Sequence, residues 1–477
     1  MHVDENLNNL HYRPFDGWFG DPNPFYWKGV YHIFYDKLQS NGILCWAHIS
    51  STDLVNWEEH PDAIPNGKNG EPDCNGCLTG SIIERGGCFY AFYTGNGPEC
   101  SSICLSRSHD LVNWNKENAN PVILPDKEIY AGNEAWRDPC VFWNPDANCY
   151  WMVFCSRTHG NAENPYTGCL GLATSSDLVT WTIQPPIWTP GDSTVVECPD
   201  LFQYDKKWIL GYFWHETRFR TSDSPAGPWH RPAIQAPDSF DFFSGKSMWD
   251  GRRRIMIGWI PRRDCDCGPR IWGGNMLLPR EFYLLPDGTP ATRLPDEIRT
   301  HYRMKSNKSY PADVFKPLTG KWKVTADALV SAPTTGIAHL AYWKNAPADL
   351  YVSADLEFCA SSSVSILLRC TTDDTAFWPD QTPLDHGYAL HIDPLENRIT
   401  LRKAYQWDQC SDILSTYHKM TDHNLSIEMF LHGDILEVFL DGRRTIVSRL
   451  LDNPRGSLAF ISRDGRVRIC NIRLKEI

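Results

Sequence analysis

The chain has 477 residues, a length that allows two or three domains, or one large all-β domain with a smaller one. Apolar residues make up 42% and charged residues 22%, which is typical of a globular protein and excludes disordered, collagenous and membrane-embedded chains. Asp and Glu outnumber Lys and Arg by 58 to 46, and the net charge of −12 argues against nucleic acid or anionic lipid as a partner, so we expect a neutral ligand.

A strand-like element recurs five times in the first 290 residues. Each copy is a short β-rich run that follows a turn and another apolar run, so the pattern predicts a hairpin. The five copies lie at residues 30–35, 88–93, 149–154, 207–212 and 254–259.

A second element follows the hairpin in four of the copies. It reads STDLVNW, SHDLVNW, SSDLVTW and, more loosely, TSDSPAGPW, at residues 51–57, 108–114, 175–181 and 221–229. Its Ser, Thr and Asp side chains favour turns, and its Trp is predicted to begin an outer strand. Four-stranded units that recur every ~40–60 residues are typical of a β-propeller, so the repeats predict five blades between residue 11 and about residue 290.

Three of the five blades begin with a carboxylate, namely Asp21, Asp138 and Glu197. The innermost strands of a propeller line one central pocket, so these side chains are expected to converge. Carboxylates brought together repel one another, and such an arrangement is costly unless the site uses it.

The acidic motifs WFGDPN, WRDP and ECPD at residues 18–23, 136–139 and 197–200 resemble those of the β-fructofuranosidases of glycoside hydrolase family 32, which include invertases, inulinases and levanases. Further segments agree with the family, namely TGS at 79–81, GRRRIMIGW at 251–259, WGGNMLLPRE at 272–281 and HGDILEVFLDGRRTIVSR at 432–449. The resemblance implies an all-β chain with a five-bladed β-propeller catalytic domain over 1–290 and a C-terminal β-sandwich.

The resemblance also implies catalytic roles. A retaining glycosidase needs one carboxylate as nucleophile and a second, protonated one as general acid, ~5–5.5 Å apart. Asp21 corresponds to the nucleophile, and Glu197 to the acid that later acts as base. We expect burial and the nearby Asp21 and Asp138 to raise the pKa of Glu197. Asp138 would stabilise the oxocarbenium-like transition state, with Arg137 holding the carboxylates.

The predicted sugar pocket departs from the family pattern. Gly20 stands where the family usually has Asn, Asp36 where a substrate-binding Gln is usual, and Leu78 where an aromatic is usual. Unmatched buried polar groups discriminate between substrates, so we expect poor activity on sucrose relative to some other furanoside. The predicted substrate-binding residues are Trp18, Gly20, Asp36, Trp46, Leu78, Thr79, Arg137 and Trp272, with Trp136 as a further candidate wall.

Two other features have a structural and a functional interpretation. His48 is interpreted as a strand histidine rather than a catalytic one. The arginines at 252–254, 262 and 263 would suit a phosphorylated sugar, although solvated turn residues are the preferred interpretation.

Residues 291–317 contain proline and many charges and are predicted to link the two domains. From 318 to 477 short β-runs alternate with turns, which predicts two packed antiparallel sheets. We expect this module to brace the propeller, with an auxiliary sugar-binding surface or a dimer contact as the alternatives.

The aromatic and cysteine contents set further expectations. The 20 Trp, 19 Tyr and 21 Phe suit either dense β-packing or sugar stacking. The 17 cysteines are an odd number, the N-terminal segment has no signal-like apolar core, and no apolar run is long enough to span a membrane. The pairs Cys74/Cys77 and Cys265/Cys267 lack the spacing of a zinc site. We therefore expect a cytoplasmic protein with reduced thiols, no metal and no cofactor.

Three functions remain open. The first is a retaining hydrolase that removes terminal β-D-fructofuranosyl units from small fructosides such as sucrose or fructo-oligosaccharides. The second is a related furanosidase or a fructosyltransferase, which Gly20 and Asp36 keep open. The third is a non-catalytic sugar-binding propeller, against which the complete set of acids and Arg137 argues. All three predict a small carbohydrate as the partner.

Overall fold

The structure is a computed structural model of the 477-residue chain. It describes residues 10–131, 135–160, 166–192, 194–266, 268–304, 308–333, 338–359, 362–372, 384–385, 387–404 and 410–477. The N-terminal segment 1–9 and Cys267 lie outside these residues. Over the described ranges, the fold is built almost entirely from strands, with one α-helix, α1 (Asp296–Met304), and a short 3₁₀ helix (Ala312–Val314). No helix in this part of the chain is long and apolar enough to cross a membrane.

The chain divides into two compact units. The first comprises the described residues up to Arg262 together with Ile271–Ile298, and the second comprises Arg263–Arg270 and the described residues from Arg299 onward.

The first unit contains the strands β1 (Gly17–Trp27), β2 (Val30–Gln39), β3 (Leu44–Ser51), β4 (Glu58–Ile64), β5 (Cys77–Arg85), β6 (Cys88–Asn96), β7 (Ser101–Ser108), β8 (Asn115–Lys116), β9 (Arg137–Asn144), β10 (Cys149–His159), β11 (Tyr166–Ser175), β12 (Thr182–Trp188), β13 (Glu197–Tyr204), β14 (Lys207–Trp214), β15 (Glu216–Ser222), β16 (Phe243–Trp249), β17 (Arg254–Arg262), β18 (Ile271–Met276), β19 (Arg280–Leu284) and β20 (Pro290–Arg293).

These strands form five antiparallel groups, β1–β4, β5–β8, β9–β12, β13–β15 and β16–β20. The first strands contact one another in the order β1, β5, β9, β13, β16 and back to β1, which closes a ring. β18 also pairs with β1 through Phe19 and Gly274, so the last group joins the first. The predicted propeller is therefore confirmed, and the recurring hairpin element supplies β2, β6, β10, β14 and β17.

Polar side chains link neighbouring innermost strands around the ring. Asn23 Oδ1 accepts the Gly80 N–H at 2.9 Å, Ser81 Oγ the Val141 N–H at 2.9 Å, Asp138 Oδ2 the Cys198 N–H at 2.8 Å and Asp200 Oδ2 the Ser247 N–H at 2.9 Å. Lys246 Nζ donates to Asn23 Oδ1 at 3.2 Å, which links β16 back to β1. Each pair of adjacent blades thus has at least one side-chain bond near the axis.

The repeated Ser-x-Asp-Leu element forms the same turn in three blades. In the first, Ser51 Oγ accepts the Leu54 N–H at 2.9 Å, while Asp53 Oδ1 accepts the N–H groups of Val55 and Asn56 at 2.9 and 2.8 Å. The elements at Ser108 and Ser175 repeat these bonds. The aspartates of this element therefore shape turns, as predicted.

The tryptophans of the same element pack between blades. Trp114 meets Phe34 edge-on at 5.5 Å, and Trp181 meets Phe92 edge-on at 5.3 Å. Each contact joins a ring from one blade to a ring from the preceding one, so these tryptophans contribute to the architecture.

The second unit contains β21 (Ser309–Tyr310), β22 (Lys316–Thr319), β23 (Trp322–Val324), β24 (Leu329–Ser331), β25 (His339–Ala346), β26 (Leu350–Phe358), β27 (Ser363–Thr372), β28 (Leu384–Asp385), β29 (Gly387–Asp393), β30 (Arg398–Ala404), β31 (Cys410–Tyr417), β32 (Asn424–His432), β33 (Ile435–Leu440), β34 (Arg444–Arg449), β35 (Gly456–Arg463) and β36 (Val467–Glu476).

Two sheets form this unit. One has the order β23-β24-β36-β26-β32-β33-β34 with β21 beside β36, and the other β22-β25-β35-β27-β29-β30-β31 with β28 beside β27. Side chains of both sheets share one apolar core, which includes Val352 and Ile427 of the first sheet and Ile366 and Phe460 of the second. The predicted β-sandwich is therefore confirmed.

The boundary region is more structured than a linker. Residues 291–317 contain the end of β20, helix α1, the 3₁₀ helix and two strands of the sandwich, since β21 pairs with β36 and β22 with β25. Residues 263–270, from the segment between β17 and β18, belong to the second unit, where Asp266 accepts hydrogen bonds from Tyr388 Oη and the Leu451 N–H at 2.7 Å each.

Candidate active site

A β-bulge lies near the start of the innermost strand in every blade. The register shifts between Phe19 and Pro22 on β1, Leu78 and Gly80 on β5, Glu197 and Asp200 on β13, Phe243 and Lys246 on β16, and around Asp138 on β9, opposite Val153 and Cys155. A bulge bends its strand and re-aims a side chain. The three predicted acids sit at these bulges.

Backbone strain accompanies the bulges. Asp138 and Cys198 have φ values of 61° and 48°, in the left-handed region that non-glycine residues rarely adopt. The Asp138 N–H donates to Thr94 Oγ1 at 2.8 Å, and the Cys198 N–H donates to Asp138 Oδ2 at 2.8 Å. Strained backbone held by such bonds is typical of functional sites.

Arg137 joins two of the acids. Its Nη2 donates to Glu197 Oε1 at 2.6 Å, and its Nε lies 3.7 Å from Asp138 Oδ2. The side chains of Arg137 and Glu197 are 27% and 29% exposed, whereas Asp138 is buried. A ligand therefore has access to the guanidinium and to Glu197, with Asp138 beneath them.

Burial and neighbouring charges shift the pKa values of Glu197 and Asp138. Burial raises the pKa of Glu197, the Arg137 guanidinium opposes that rise, and the carboxylates of Asp138 and Asp21 add to it. Burial also raises the pKa of Asp138, against the opposing effects of Arg137 and the Cys198 N–H. The direction for Glu197 agrees with the prediction from sequence and suits a general acid.

Asp21 is held through both oxygens. Its Oδ1 accepts a hydrogen bond from Trp259 Nε1 at 2.9 Å, and its Oδ2 accepts one from Thr79 Oγ1 at 3.2 Å. The two donors fix the orientation of this carboxylate. Its partial exposure leaves it accessible to a ligand.

Asp36 lies deeper, on β2, and is only 1% exposed. Its Oδ2 is 3.2 Å from the same Thr79 hydroxyl, and its Oδ1 has no hydrogen-bond partner. Burial, followed by the charges of Asp21 and Asp138, raises the pKa of Asp36 well above its usual range. Of the predicted pocket residues, Thr79 therefore contacts Asp21, the predicted nucleophile, and Asp36 contacts Thr79.

Lys246 and Trp259 were not predicted as site residues. Lys246 is 3% exposed and donates to Asn23 Oδ1 and to the Gly80 carbonyl, and its charge acts on Asp36 and Asp138. The sequence does contain a signal for Lys246, because it is a lysine among small and apolar residues at the start of a blade. Trp259 lies in the segment GRRRIMIGW, which agrees with the family but was assigned no site residue.

The structure explains Gly20. A Cβ at this position would lie 2.3 Å from Cη2 of Trp272, so the indole occupies the space that a side chain would need. Trp272 also packs edge-on against Trp259 at 5.4 Å, which connects it to the residue that binds Asp21. Gly20 therefore leaves the space that the Trp272 ring of the fifth blade fills.

Trp46 and Trp136 do not line the site, which corrects the prediction. Both are fully buried in apolar clusters between blades. Trp46 Nε1 donates to the Leu78 carbonyl at 3.0 Å, so it supports the strand that carries Thr79. Their position within the motifs suggested that they wall the sugar site, but they pack between blades instead.

Trp18 lies elsewhere on the first blade. The guanidinium groups of Arg13 and Arg262 each lie over its ring, 4.6 and 4.1 Å from the ring centroid. It lines a cleft together with Leu38 and Gln39. The contacts of Trp18 therefore point to a role beside the carboxylate group rather than within it.

The other arginines of the basic segment do not converge on one ligand. Arg253 is buried and pairs with Asp250, Glu281 and Glu297, while Arg254 stacks over Phe202 at 3.7 Å. These contacts favour structural roles over a phosphate site. They correct the interpretation as solvated turn residues for Arg253, whereas the Arg252 side chain is 72% exposed, as predicted.

His48 is a core residue. It stacks against Phe34 and His60 at 4.2 Å each, and its Nε2 lies 3.0 Å from His32 Nδ1. This environment agrees with the preferred interpretation of a strand histidine.

Within the described ranges, no group of three or more His, Cys, Asp or Glu side chains is arranged to hold a metal ion. The thiols of Cys155 and Cys198 lie near the carboxylates, and burial raises the pKa of each well above its usual range. Thiols in this state are poor nucleophiles.

Comparison with known proteins shows the family. Residues 11–293, more than half of the chain, match the model of the glycosyl hydrolases family 32 N-terminal domain. A β-fructofuranosidase insoluble isoenzyme from Arabidopsis thaliana is 28% identical over 64% of this chain and 59% of its own length. A sucrose-6-phosphate hydrolase from Escherichia coli is 30% identical over 57% of this chain and 61% of its own length. The chain thus spans about three fifths of the length of these relatives.

Solved structures agree with the fold. Fructan 1-exohydrolase IIa from Cichorium intybus superposes with a TM-score of 0.72 at 18% identity, covering 100% of this chain and 98% of that one. Sucrose-6-phosphate hydrolase from Lactobacillus gasseri gives a TM-score of 0.74 at 18% identity, covering 100% and 94%. Because the family model matches residues 11–293, the chain belongs to glycosyl hydrolase family 32.

Proposed function

We propose that this protein is a retaining glycoside hydrolase that removes terminal β-D-fructofuranosyl units from small fructosides. The observation that carries the proposal is the difference between two partly exposed acids of one pocket. Asp21 accepts hydrogen bonds on both oxygens, whereas burial and neighbouring carboxylates raise the pKa of Glu197. A nucleophile and a general acid need this difference.

In the first step, an oxygen of Asp21 attacks the anomeric carbon while the bond from that carbon to the departing oxygen breaks. Glu197 transfers its proton to the departing oxygen, and a covalent glycosyl ester remains on Asp21. In the second step, Glu197 removes a proton from water, the water oxygen attacks the same carbon, and Asp21 is released as a carboxylate. Configuration at the anomeric carbon is retained because it inverts twice.

Asp138 and Arg137 assist without forming a covalent bond. Asp138 is fixed by the Cys198 N–H and carries a charge suited to positive character at the sugar ring in the transition state. Arg137 holds Glu197 at 2.6 Å, so the proton donor keeps its position while its pKa is moderated.

The relatives support fructosides as the substrate class. Their names describe β-fructofuranosidases and sucrose-6-phosphate hydrolases, and structural neighbours are recorded in complex with 1-kestose, sucrose and fructose. The pocket of this chain differs through Gly20, Asp36 and the position of Trp272. We therefore expect a fructoside other than sucrose to be its best substrate.

The test is a panel of furanosides, with the anomeric configuration of the first product followed by NMR. We expect retention, and Asp21→Ala and Glu197→Gln should each lower kcat by at least about a thousandfold. Asp223→Ala, which removes an exposed carboxylate paired with Lys207, is the control and should match the parent. Inversion of configuration, or an Asp21→Ala variant that retains most of its activity, would contradict the proposal.

A further inference from the structure

The Thr79 hydroxyl lies between two carboxyl groups. Its Oγ1 is 3.2 Å from Asp21 Oδ2 and 3.2 Å from Asp36 Oδ2. A hydroxyl has one proton to donate, and an ionised carboxylate can only accept. If both carboxyl groups were ionised, one of them would face the lone pairs of the Thr79 oxygen.

The surroundings decide which carboxyl group is neutral. Asp21 has a second donor, Trp259 Nε1, on its other oxygen, and it is partly exposed. Asp36 is 1% exposed, and its Oδ1 has no partner. An ionised carboxylate with an unpaired oxygen in the interior is strongly unfavourable, whereas the neutral acid is not.

We propose that Asp36 is a protonated carboxylic acid in the working enzyme, that it donates to Thr79 Oγ1, and that the Thr79 hydroxyl in turn donates to Asp21 Oδ2. The role assigned to Asp36 rests on the proposed function, in which Asp21 is the nucleophile. Asp36 is then a positioning residue, since it acts on the nucleophile through Thr79.

The charged groups around Asp36 agree with this state. Asp21 faces it from β1 and Asp138 from β9, while Lys246 reaches it from β16 and the Cys45 thiol from β3. Burial and the two carboxylates raise the pKa of Asp36 well above its usual range, against smaller opposing effects of Thr79 and Lys246.

Neutral Asp36 also balances the charges of the pocket. With Glu197 protonated as the general acid, the ionised Asp21 and Asp138 face two cations, Arg137 and Lys246. A third negative charge, on Asp36, would exceed these two positive charges.

The proton on Asp36 sets the direction of the chain of hydrogen bonds. Because Thr79 accepts from Asp36, its own proton must point toward Asp21, which keeps a donor on Oδ2 at all times. The nucleophile is thereby held in one orientation before substrate arrives.

The first test is independent of any substrate. Infrared difference spectra of the full-length protein and its Asp36→Asn variant at pH 7 should contain a carboxylic-acid carbonyl band that only the parent shows. A parent without this band, or a band that Asp36→Asn leaves in place, would overturn the proposal. Because the readout needs no turnover, it stands even if the proposed function fails.

The second test uses the pH dependence of kcat/KM on the best furanoside of the panel. If Asp36 is neutral, Asp36→Asn changes no charge, and both limbs of the profile stay within about 0.3 pH unit of the parent. If Asp36 were ionised, loss of its charge would lower the pKa of Glu197, and the alkaline limb would move to lower pH by about one unit. That shift would contradict the proposal.

Two further variants separate the hydrogen bond from packing. Asp36→Leu and Thr79→Val fill similar space but break the chain of donors, and each should lower kcat by about tenfold with a smaller effect on KM. Asp36→Asn, whose amide can still donate to Thr79, should recover most of the Asp36→Leu loss. Equal losses in Asp36→Asn and Asp36→Leu would show that the amide cannot replace the acid and would overturn the assigned donor role.

Discussion

At the scale of single residues, the two acids of the site differ in their hydrogen-bond partners. Glu197 and Asp21 are both carboxylates at blade starts, but a guanidinium contacts the first, while an indole N–H and a hydroxyl contact the second. The sequence identifies both acids because each lies in a distinct motif. It does not identify Trp259 or the shared contact of Thr79, because these depend on how strands from different blades approach one another.

The Arg137–Glu197 pair leads to a prediction about pH. Arg137 favours the ionised form of Glu197 and opposes the rise in its pKa that burial causes. Arg137→Met should raise that pKa further, so the protonated acid persists to higher pH and the alkaline limb of the kcat profile moves upward. Pre-steady-state rates measured between pH 5 and pH 9 give the apparent pKa of this alkaline limb.

The matched control is Lys207→Met, which removes an exposed ion pair of the same 2.6 Å length on the fourth blade. It should leave the limb in place. An alkaline limb that moves downward in Arg137→Met would contradict the assignment of Glu197 as the acid.

At the scale of elements, the innermost strands are tied by side chains as well as by blade packing. Lys246 supplies the link between β16 and β1, and it reaches the Gly80 carbonyl of β5 as well. A lysine at a blade start indicates a special position, but its partners could not be predicted, because the bulge that aims the side chain arises from strand pairing rather than from local composition.

Lys246→Met should therefore destabilise the propeller. It removes a buried positive charge that acts on Asp36 and Asp138, together with the hydrogen bonds to Asn23 and Gly80. Removing one partner from a buried group of charges costs about 3–5 kcal/mol. Urea unfolding followed by tryptophan fluorescence measures the loss, with Lys207→Met as an exposed control. A loss below about 1 kcal/mol would mean that the link contributes little.

The histidine cluster of β2, β3 and β4 also acts at this scale. Burial lowers the pKa of His32 to about 4 and that of His48 to about 2, with His60 adding to both effects. The folded state therefore keeps both rings neutral at a pH where the unfolded chain, with an ordinary pKa of about 6.5, takes up protons.

Because these pKa values are depressed in the folded state, their contribution to stability is complete above about pH 6.5 and is lost as the pH falls toward 4. The slope is about 1.4 kcal/mol per pH unit for each ring. His48→Gln should roughly halve the cluster's share of this slope in unfolding experiments between pH 7 and pH 5. The exposed His109→Gln should retain the parent's slope, and an identical slope in both variants would refute the role of the cluster.

At the scale of the whole molecule, the repeat in the sequence predicted the propeller because each blade is built from local hairpins and turns. Alternation and turn residues predicted the sandwich in the same way. The path of residues 263–270 into the second unit was not predictable, since nothing local distinguishes this loop from a blade turn. The burial of Trp46 and Trp136 could not be predicted for a related reason, because it depends on how neighbouring blades pack around the propeller.

Closure of that ring is the last property to test. β18 pairs with β1 through Gly274 and Phe19, and a Cβ at Gly274 would lie 1.9 Å from the Ile260 carbonyl oxygen, so no other residue fits without displacing β17 or β18. Gly274→Ala should open the contact between the first and last blades. Hydrogen exchange measured by mass spectrometry should then increase in β1, β17 and β18, while β26 and β36 of the sandwich keep their protection. Asp223→Ala serves as the control, and unchanged exchange in β1 would show that the β1–β18 pairing does not hold the ring closed.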